Sequence, residues 1–258
     1  MSQTLRQAFD DIGFEYPATG TLTKHEVGFQ IAEIGIIPAV CVTSAEEALF
    51  VAEAVAEAGV PVLEISMTFP GSIRAISHLV KHVPNMIVGG GSILDADTAR
   101  RCVDNGARFL TSDGLVLEVV EMAAKEEIVV FPGALTPTEI IAAWKAGSDF
   151  VKVVPCDAMG GPSYIRSLKT ALPQVRLIAA GGVNQQTAAN FILAGATAIG
   201  VGAELIPTEA IERRQAARIQ ELAQRFAGFV KDARARMEAR KASRVARVSD
   251  GLGECEEK

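Results

Sequence analysis

Aromatic residues make up only 5% of this 258-residue chain, with one tryptophan and two tyrosines, so there is little from which to build the stacking platforms that hold single-stranded nucleic acid. Positive charge is in the minority as well. Against 31 Asp and Glu stand 25 Lys and Arg, and the formal net charge of −6 argues against a general nucleic-acid binder and suits a small-molecule ligand. The four cysteines, Cys41, Cys102, Cys156 and Cys255, are widely spaced and form no Cys-x-x-Cys, which fits free thiols better than a disulfide frame or a zinc site. No apolar run reaches the ~18 residues of a membrane span. The opening MSQTLRQAFDD has no basic region followed by an apolar one. The expectation is a cytoplasmic protein that meets neither membrane nor nucleic acid. His78 and His82 are spaced i,i+4, but with no acid between them they read as surface residues of a helix; no metal and no cofactor are expected.

What is abundant is apolar, β-branched sequence: 49% of residues are hydrophobic and the mean hydropathy is +0.25, enough to bury the core of one large α/β domain. Such runs begin near Ile36, Val60, Met86, Arg108, Ile128, Asp149, Arg176 and Ala198. Segments of helical periodicity lie between them, bounded by cap candidates (Thr43 or Ser44, Asp95, Thr136, Asn184) and by terminating glycines (Gly59, Gly106, Gly147, Gly195). The runs are apolar throughout, as parallel strands covered by helices must be. Eight alternations, with no Gly-x-Gly-x-x-Gly opening the first helix, predict a (β/α)8 TIM barrel rather than an open doubly wound sheet.

The expected organisation is an N-terminal arm over residues 1–23, a barrel over 24–214 that opens with a short helix from Lys24 to Glu33, and a C-terminal extension over 215–258. In that extension Lys231, Arg234, Arg236, Arg240, Lys241, Arg244 and Arg247 read as the solvated face of a helix, fraying from Arg234 into a disordered tail.

Of the nine lysines, Lys152 is the one inside a predicted strand. An ammonium there is disfavoured unless it is paired, neutral or required as an amine nucleophile. The chemistry of a closed barrel sits at the C-terminal ends of its strands. Glu64 on the second run and Lys152 on the sixth belong to opposite, even-numbered strands, so an acid and an amine can face each other across the core, with Asp113, Cys156 and Asp157 rimming the same mouth. That pair suits a Schiff-base enzyme, in which the amine attacks a ketone and the carboxylate moves protons; the plainer alternative is a buried Glu–Lys salt bridge. Gly181 and Gly182 end the seventh run and Gly202 and Ala203 the eighth, where barrels bind phosphate through backbone N–H groups; Gly160 and Gly161 add amides nearby. Gly89, Gly90, Gly91 and Ser92 end the third run and leave one hydroxyl where a keto acid's carboxylate can sit.

From about Ile31 to Ile211 the chain resembles the bacterial 2-keto-3-deoxy-6-phosphogluconate (KDPG) and 4-hydroxy-2-oxoglutarate (KHG) aldolase family, on the stretches IIPAVCV, VLEISMTFPG, VPNMIVGGGSIL, VVFPGALTPTE, FVKVVP and AAGGVN, which follow in the family's order. The resemblance implies a trimeric, metal-free class I aldolase that releases pyruvate and glyceraldehyde 3-phosphate. It implies Lys152 as the Schiff-base lysine and Glu64 as the general acid/base, with Thr68, Gly91, Ser92, Pro132, Gly181, Gly182, Gly202 and Ala203 around the substrate. The chain also departs from the family. Thr68 stands where many members carry an arginine, Ala180 replaces a threonine and Ala203 a serine, Ser112-Asp113 replaces Ser-Pro, and Cys156 replaces a small residue. Lost hydroxyls and an added acid at the mouth disfavour a dianionic phosphate, so the alternatives are a relative acting on an altered, non-phosphorylated substrate, a non-catalytic keto-acid-binding barrel and, least favoured, a phosphate-binding isomerase.

Overall fold

The computed structural model describes residues 22–83 and 85–249, with side chains as far as 243. Residues 1–21 of the expected arm over 1–23, and residues 250–258 of the expected tail, Cys255 among them, lie outside the described residues. Helix α1 (Lys24–Ile34) comes first, followed by β1 (Ile36–Val40), α2 (Ala45–Glu57), β2 (Val62–Ser66), α3 (Ser72–His82), β3 (Ile87–Gly91), α4 (Ala96–Asp104) and β4 (Phe109–Thr111). Then come α5 (Leu117–Lys125), β5 (Val129–Phe131), β6 (Gly133–Ala134), α6 (Pro137–Lys145), β7 (Val151–Val153), α7 (Pro162–Ala171), β8 (Leu177–Ala179), α8 (Ala188–Leu193), β9 (Ala198–Val201), α9 (Thr208–Glu212) and α10 (Ala216–Ser249).

The nine strands form one sheet in the order β5-β4-β3-β2-β1-β9-β8-β7-β6, with every described pairing parallel. Its two end strands, β5 and β6, are separated by Pro132 alone, so the sheet curls into a nearly closed parallel barrel. The expected eight runs become nine segments because proline has no N–H to give to the ladder, which divides the fifth run.

Strand alternation sorts the side chains into two cores. Outward residues such as Leu63, Val88, Leu110, Val130 and Val153 pack against the helices, and inward residues Ile37, Val62, Ile87, Phe109, Val129, Phe150, Ile178 and Ala198 fill the barrel near the strand starts. Val27 and Ile31, one turn apart on α1, join this inner cluster and plug that end. Helix α1 begins at a reciprocal cap: Glu26 accepts the Thr23 N–H at 2.7 Å and Thr23 Oγ1 accepts the Glu26 N–H at 3.3 Å. Ser44, Asp95 and Thr136 cap α2, α4 and α6 through their side chains. Asn184 Oδ1 accepts the N–H groups of Gln186 and Thr187 at 2.9 and 3.1 Å, one turn ahead of α8.

Helix α10 lays Ile219, Ala223, Phe226, Val230 and Ala233 into the outer core, a stripe at helical spacing. Fraying from Arg234 is not observed: the helix is continuous to Ser249, and Arg234 donates to the carbonyls of Ala32 and Glu33 at the end of α1 and to Thr197 O at 3.1 Å. Those carbonyls have no partner within their own helix, which explains why a residue of the basic stretch is anchored rather than solvated.

Candidate active site

The inward faces of β2, β4 and β7 carry the buried polar residues of the candidate site. Val62, Phe109 and Phe150 belong to the inner cluster, so residues two further along, Glu64, Thr111 and Lys152, point the same way and lie nearer the open end. Lys152 is only 6% exposed. Its Nζ donates to Asp113 Oδ1 at 2.8 Å and to Thr111 Oγ1 at 3.3 Å. The carboxylate that pairs with the lysine is therefore Asp113, from the loop after β4, and Glu64 makes no ion pair with it.

Asp113 is brought there by a close approach of backbones. A Cβ on Gly133 would lie 2.3 Å from Asp113 C and 2.4 Å from its O, so only glycine lets the β4 loop cross β6 at that distance. Ser112 Oγ fastens the same loop by donating to Gly114 O at 2.6 Å. Burial, the largest influence on the Asp113 carboxyl, raises its pKa, but the hydrogen bond and charge of Lys152, with a hydrogen bond from Ser92, outweigh it and hold the group below its ordinary value.

Glu64 is 8% exposed and lies over Gly91, where a Cβ would stand 2.1 Å from Glu64 Oε1. Gly89, two residues back on the same inward face, leaves room for the Phe109 ring. The run of glycines thus serves first to admit the acid and the aromatic ring into the barrel. Ser92, at φ 55°, follows directly, and its hydroxyl accepts from Ser66 Oγ at 3.3 Å; Ser66 Oγ lies 3.0 Å from Thr68 Oγ1. A chain of hydroxyls from exposed Thr68 through Ser66 and Ser92 leads to Asp113 and Lys152. Pro132 contributes its carbonyl, which accepts the Lys152 N–H at 2.9 Å and fixes the strand carrying the lysine.

Gly181 and Gly182, at φ 75° and 90°, follow β8, and Gly202 and Ala203 follow the neighbouring β9. Their N–H groups donate no hydrogen bond among the described residues, so this part of the rim offers backbone donors and no hydroxyl. Asp157 packs against Gly182, where a Cβ would lie 2.2 Å from its own Cβ, and Gly160 and Gly161 close the turn that follows. Cys156 donates its thiol to Gly181 O at 3.3 Å, and burial pushes its pKa up to about 12, so it is no nucleophile near neutrality. Cys41, Cys102 and Cys156 are free thiols. His78 and His82 stack on the surface at 3.9 Å, and among the described residues no group of three or more His, Cys, Asp or Glu is placed to hold a metal ion. A separate surface cavity of about 470 Å³, lined by Met67, Phe69, Arg74 and Arg101 among others, includes neither Lys152 nor Glu64.

A sequence profile described as KDPG and KHG aldolase matches residues 27–222. The chain belongs to this aldolase family. Across 189 residues it is 30% identical to the KHG/KDPG aldolase of Escherichia coli K12, covering 73% of this chain and 88% of that protein. Across 162 residues it is 33% identical to a probable 2-dehydro-3-deoxy-6-phosphogalactonate aldolase of Rhizobium meliloti, covering 62% and 76%. The Legionella pneumophila KDPG aldolase structure, in which pyruvate is captured at low pH as a covalent carbinolamine, superposes with a TM-score of 0.72 at 29% identity, covering 77% of this chain and 96% of that one.

Ser66 and Thr111 were not among the aldolase residues expected from the sequence, yet both touch the site. Each lies two positions beyond a residue of the inward face, so strand alternation alone points to them.

Proposed function

We propose that this member of the aldolase family is a class I, Schiff-base enzyme that cleaves a 2-keto-3-deoxy sugar acid reversibly to pyruvate and an aldehyde, with Lys152 as nucleophile and Glu64 as general acid/base. The observation that carries the reading is the amine of Lys152, held inside the mouth of the barrel with a carboxylate at 2.8 Å. Structural ion pairs of this kind contribute little net stability once desolvated, whereas a poised amine beside a proton carrier is what iminium chemistry requires.

In this mechanism the neutral amine adds to the C2 ketone and water leaves, giving an iminium. Glu64 then takes the proton of the C4 hydroxyl as the C3–C4 bond breaks, and the iminium receives the electron pair as an enamine. Protonation at C3 and hydrolysis release pyruvate. Glu64 suits the role because, clear of the ion pair, its carboxylate is available to the hydroxyl.

Taking β5 and β6 as one strand interrupted at Pro132 makes the architecture a (β/α)8 TIM barrel. The assembly is proposed as a homotrimer in the cytoplasm, with a small-molecule keto acid as partner and neither nucleic acid nor membrane; among the described residues no helix is long and apolar enough to cross a membrane. Ser92 and Thr68 are proposed to meet the substrate carboxylate together with Gly91 and Pro132, and Gly181, Gly182, Gly202 and Ala203 the far end of the substrate through their N–H groups. A second reading, a non-phosphorylated substrate such as 4-hydroxy-2-oxoglutarate, is favoured by Asp113 at the mouth and by Ala180 and Ala203, which offer no hydroxyl. Coupling pyruvate release to lactate dehydrogenase tests both. Turnover of KDPG or 4-hydroxy-2-oxoglutarate is expected, the preferred one decides between the two readings, and turnover undiminished in Lys152→Met overturns the mechanism.

A further inference from the structure

Two carboxylates reach the mouth of the barrel, and they differ in what they can do. Glu64 is buried and makes no bond to Lys152. Asp113 sits on the amine at 2.8 Å with its side chain 58% exposed, while the lysine side chain is 7% exposed. One end of Asp113 is thus on the reacting nitrogen and the other in water. Its placement is built rather than incidental: Gly133 admits its backbone, Ser112 ties its loop, and Ser92 bonds its carboxylate.

We propose that Asp113 is a second catalytic acid/base, handling the protons of the amine and the carbinolamine while Glu64 handles those of the carbon–carbon bond. The proposal rests on the Schiff-base reading given above. The step balances without any co-reactant. An ammonium proton passes to Asp113 Oδ1, the freed Nζ lone pair forms a bond to C2, and the carbonyl π pair goes to oxygen. A proton then moves from nitrogen to that oxygen to give the carbinolamine. Asp113, now a carboxylic acid, returns its proton to the hydroxyl, the C–O bond breaks, and water leaves. The product is an iminium ion-paired with the Asp113 carboxylate: ketone and ammonium in, iminium and water out. Thr111, 3.3 Å from Nζ, holds the nitrogen in line but has no proton of suitable acidity to give.

The test is the rate at which a borohydride-trappable pyruvate adduct forms, followed by rapid quench and intact mass across pH. Of the other titratable groups near the C-terminal ends of the strands, Glu64 lies on β2 and Cys156 and Asp157 on the loop after β7, and the thiol, buried in the outer core and at about 12, stays out of the working range. Asp113→Asn is expected to lower the plateau of the rate–pH profile by about 10²- to 10⁴-fold, the usual range for loss of a general acid/base, because no carboxyl remains to take the ammonium proton and return it to the carbinolamine hydroxyl. Asp113→Glu is expected to recover much of it, and Asp113→Ser, a second folded variant, to behave like Asn. If the profile only slides along the pH axis and the plateau stays, Asp113 is no more than a counter-ion and the proposal fails. Loss of adduct formation in Glu64→Gln but not in Asp113→Asn likewise assigns the nitrogen's protons to Glu64 and overturns it. No adduct in the wild type would overturn the Schiff-base reading itself, an outcome distinct from either.

Discussion

Substituting alanine at Gly91 tests the placement of Glu64 without removing it. The position has no unusual φ, so the backbone accepts an L side chain, and the whole effect comes from the added methyl. That methyl would lie 2.1 Å from Glu64 Oε1 and 2.6 Å from its Cδ and Cγ, against 3.4 Å or more in ordinary contacts. The acid must therefore withdraw by roughly 1 Å or more, a misplacement of the kind that costs about 10²-fold in rate. Overpacking adds a stability loss of about 1–3 kcal/mol. Gly90→Ala is the control. Its methyl would meet Cys102 Sγ at 2.8 Å on the opposite, outward face, so it should lose comparable stability and keep kcat. Steady-state cleavage with coupled pyruvate detection, alongside urea melts of both variants, reads the two effects separately. A Gly91→Ala enzyme that cleaves at the wild-type rate would refute the position assigned to Glu64.

Lys152→Met should abolish cleavage with no loss of stability, or with a modest gain measured as Tm, because it exchanges a buried charge for an apolar chain and leaves Asp113 free to hydrate. Arg234→Ala should cost about 2–4 kcal/mol in urea unfolding, since it strips a half-buried guanidinium from three backbone carbonyls that α1 and the loop before β9 cannot otherwise satisfy. Asp95→Ala should cost about 1 kcal/mol through loss of the cap on α4, where Asp95 Oδ1 accepts the Thr98 N–H at 2.7 Å. The same hydrogen bond, the largest influence on it, holds the Asp95 carboxyl below its ordinary value. The cap's contribution is therefore present above the unfolded-state pKa and lost as pH falls through the lower folded one. Wild type and Asp95→Ala should converge in stability on that acid limb, and a constant difference down to strong acid would contradict the assignment.

Much of this molecule can be read along the chain because strands and caps are local. The apolar runs mark the strands, Ser44, Asp95 and Thr136 mark helix starts, and Lys152 stands out as a charge where none belongs. Glu64 is readable for the same reason, as an acid in an apolar run. The split of the fifth run at Pro132 was open to the same reading, since proline cannot donate within a ladder, but strand propensity masks it. The partner of Lys152 was not legible. Asp113 lies on a loop whose course depends on Gly133, and nothing local to either residue states that the two backbones cross. Arg234 was misread for a similar reason: its acceptors at Ala32, Glu33 and Thr197 lie far away in the sequence, so its helix face looked solvated.

Borohydride reduction in the presence of pyruvate, followed by intact mass and peptide mapping, tests the central claim most directly. One reduced pyruvyl adduct on Lys152, absent from Lys152→Met, is the predicted result. A folded wild type that gains no mass, or gains it on another lysine, would contradict the account.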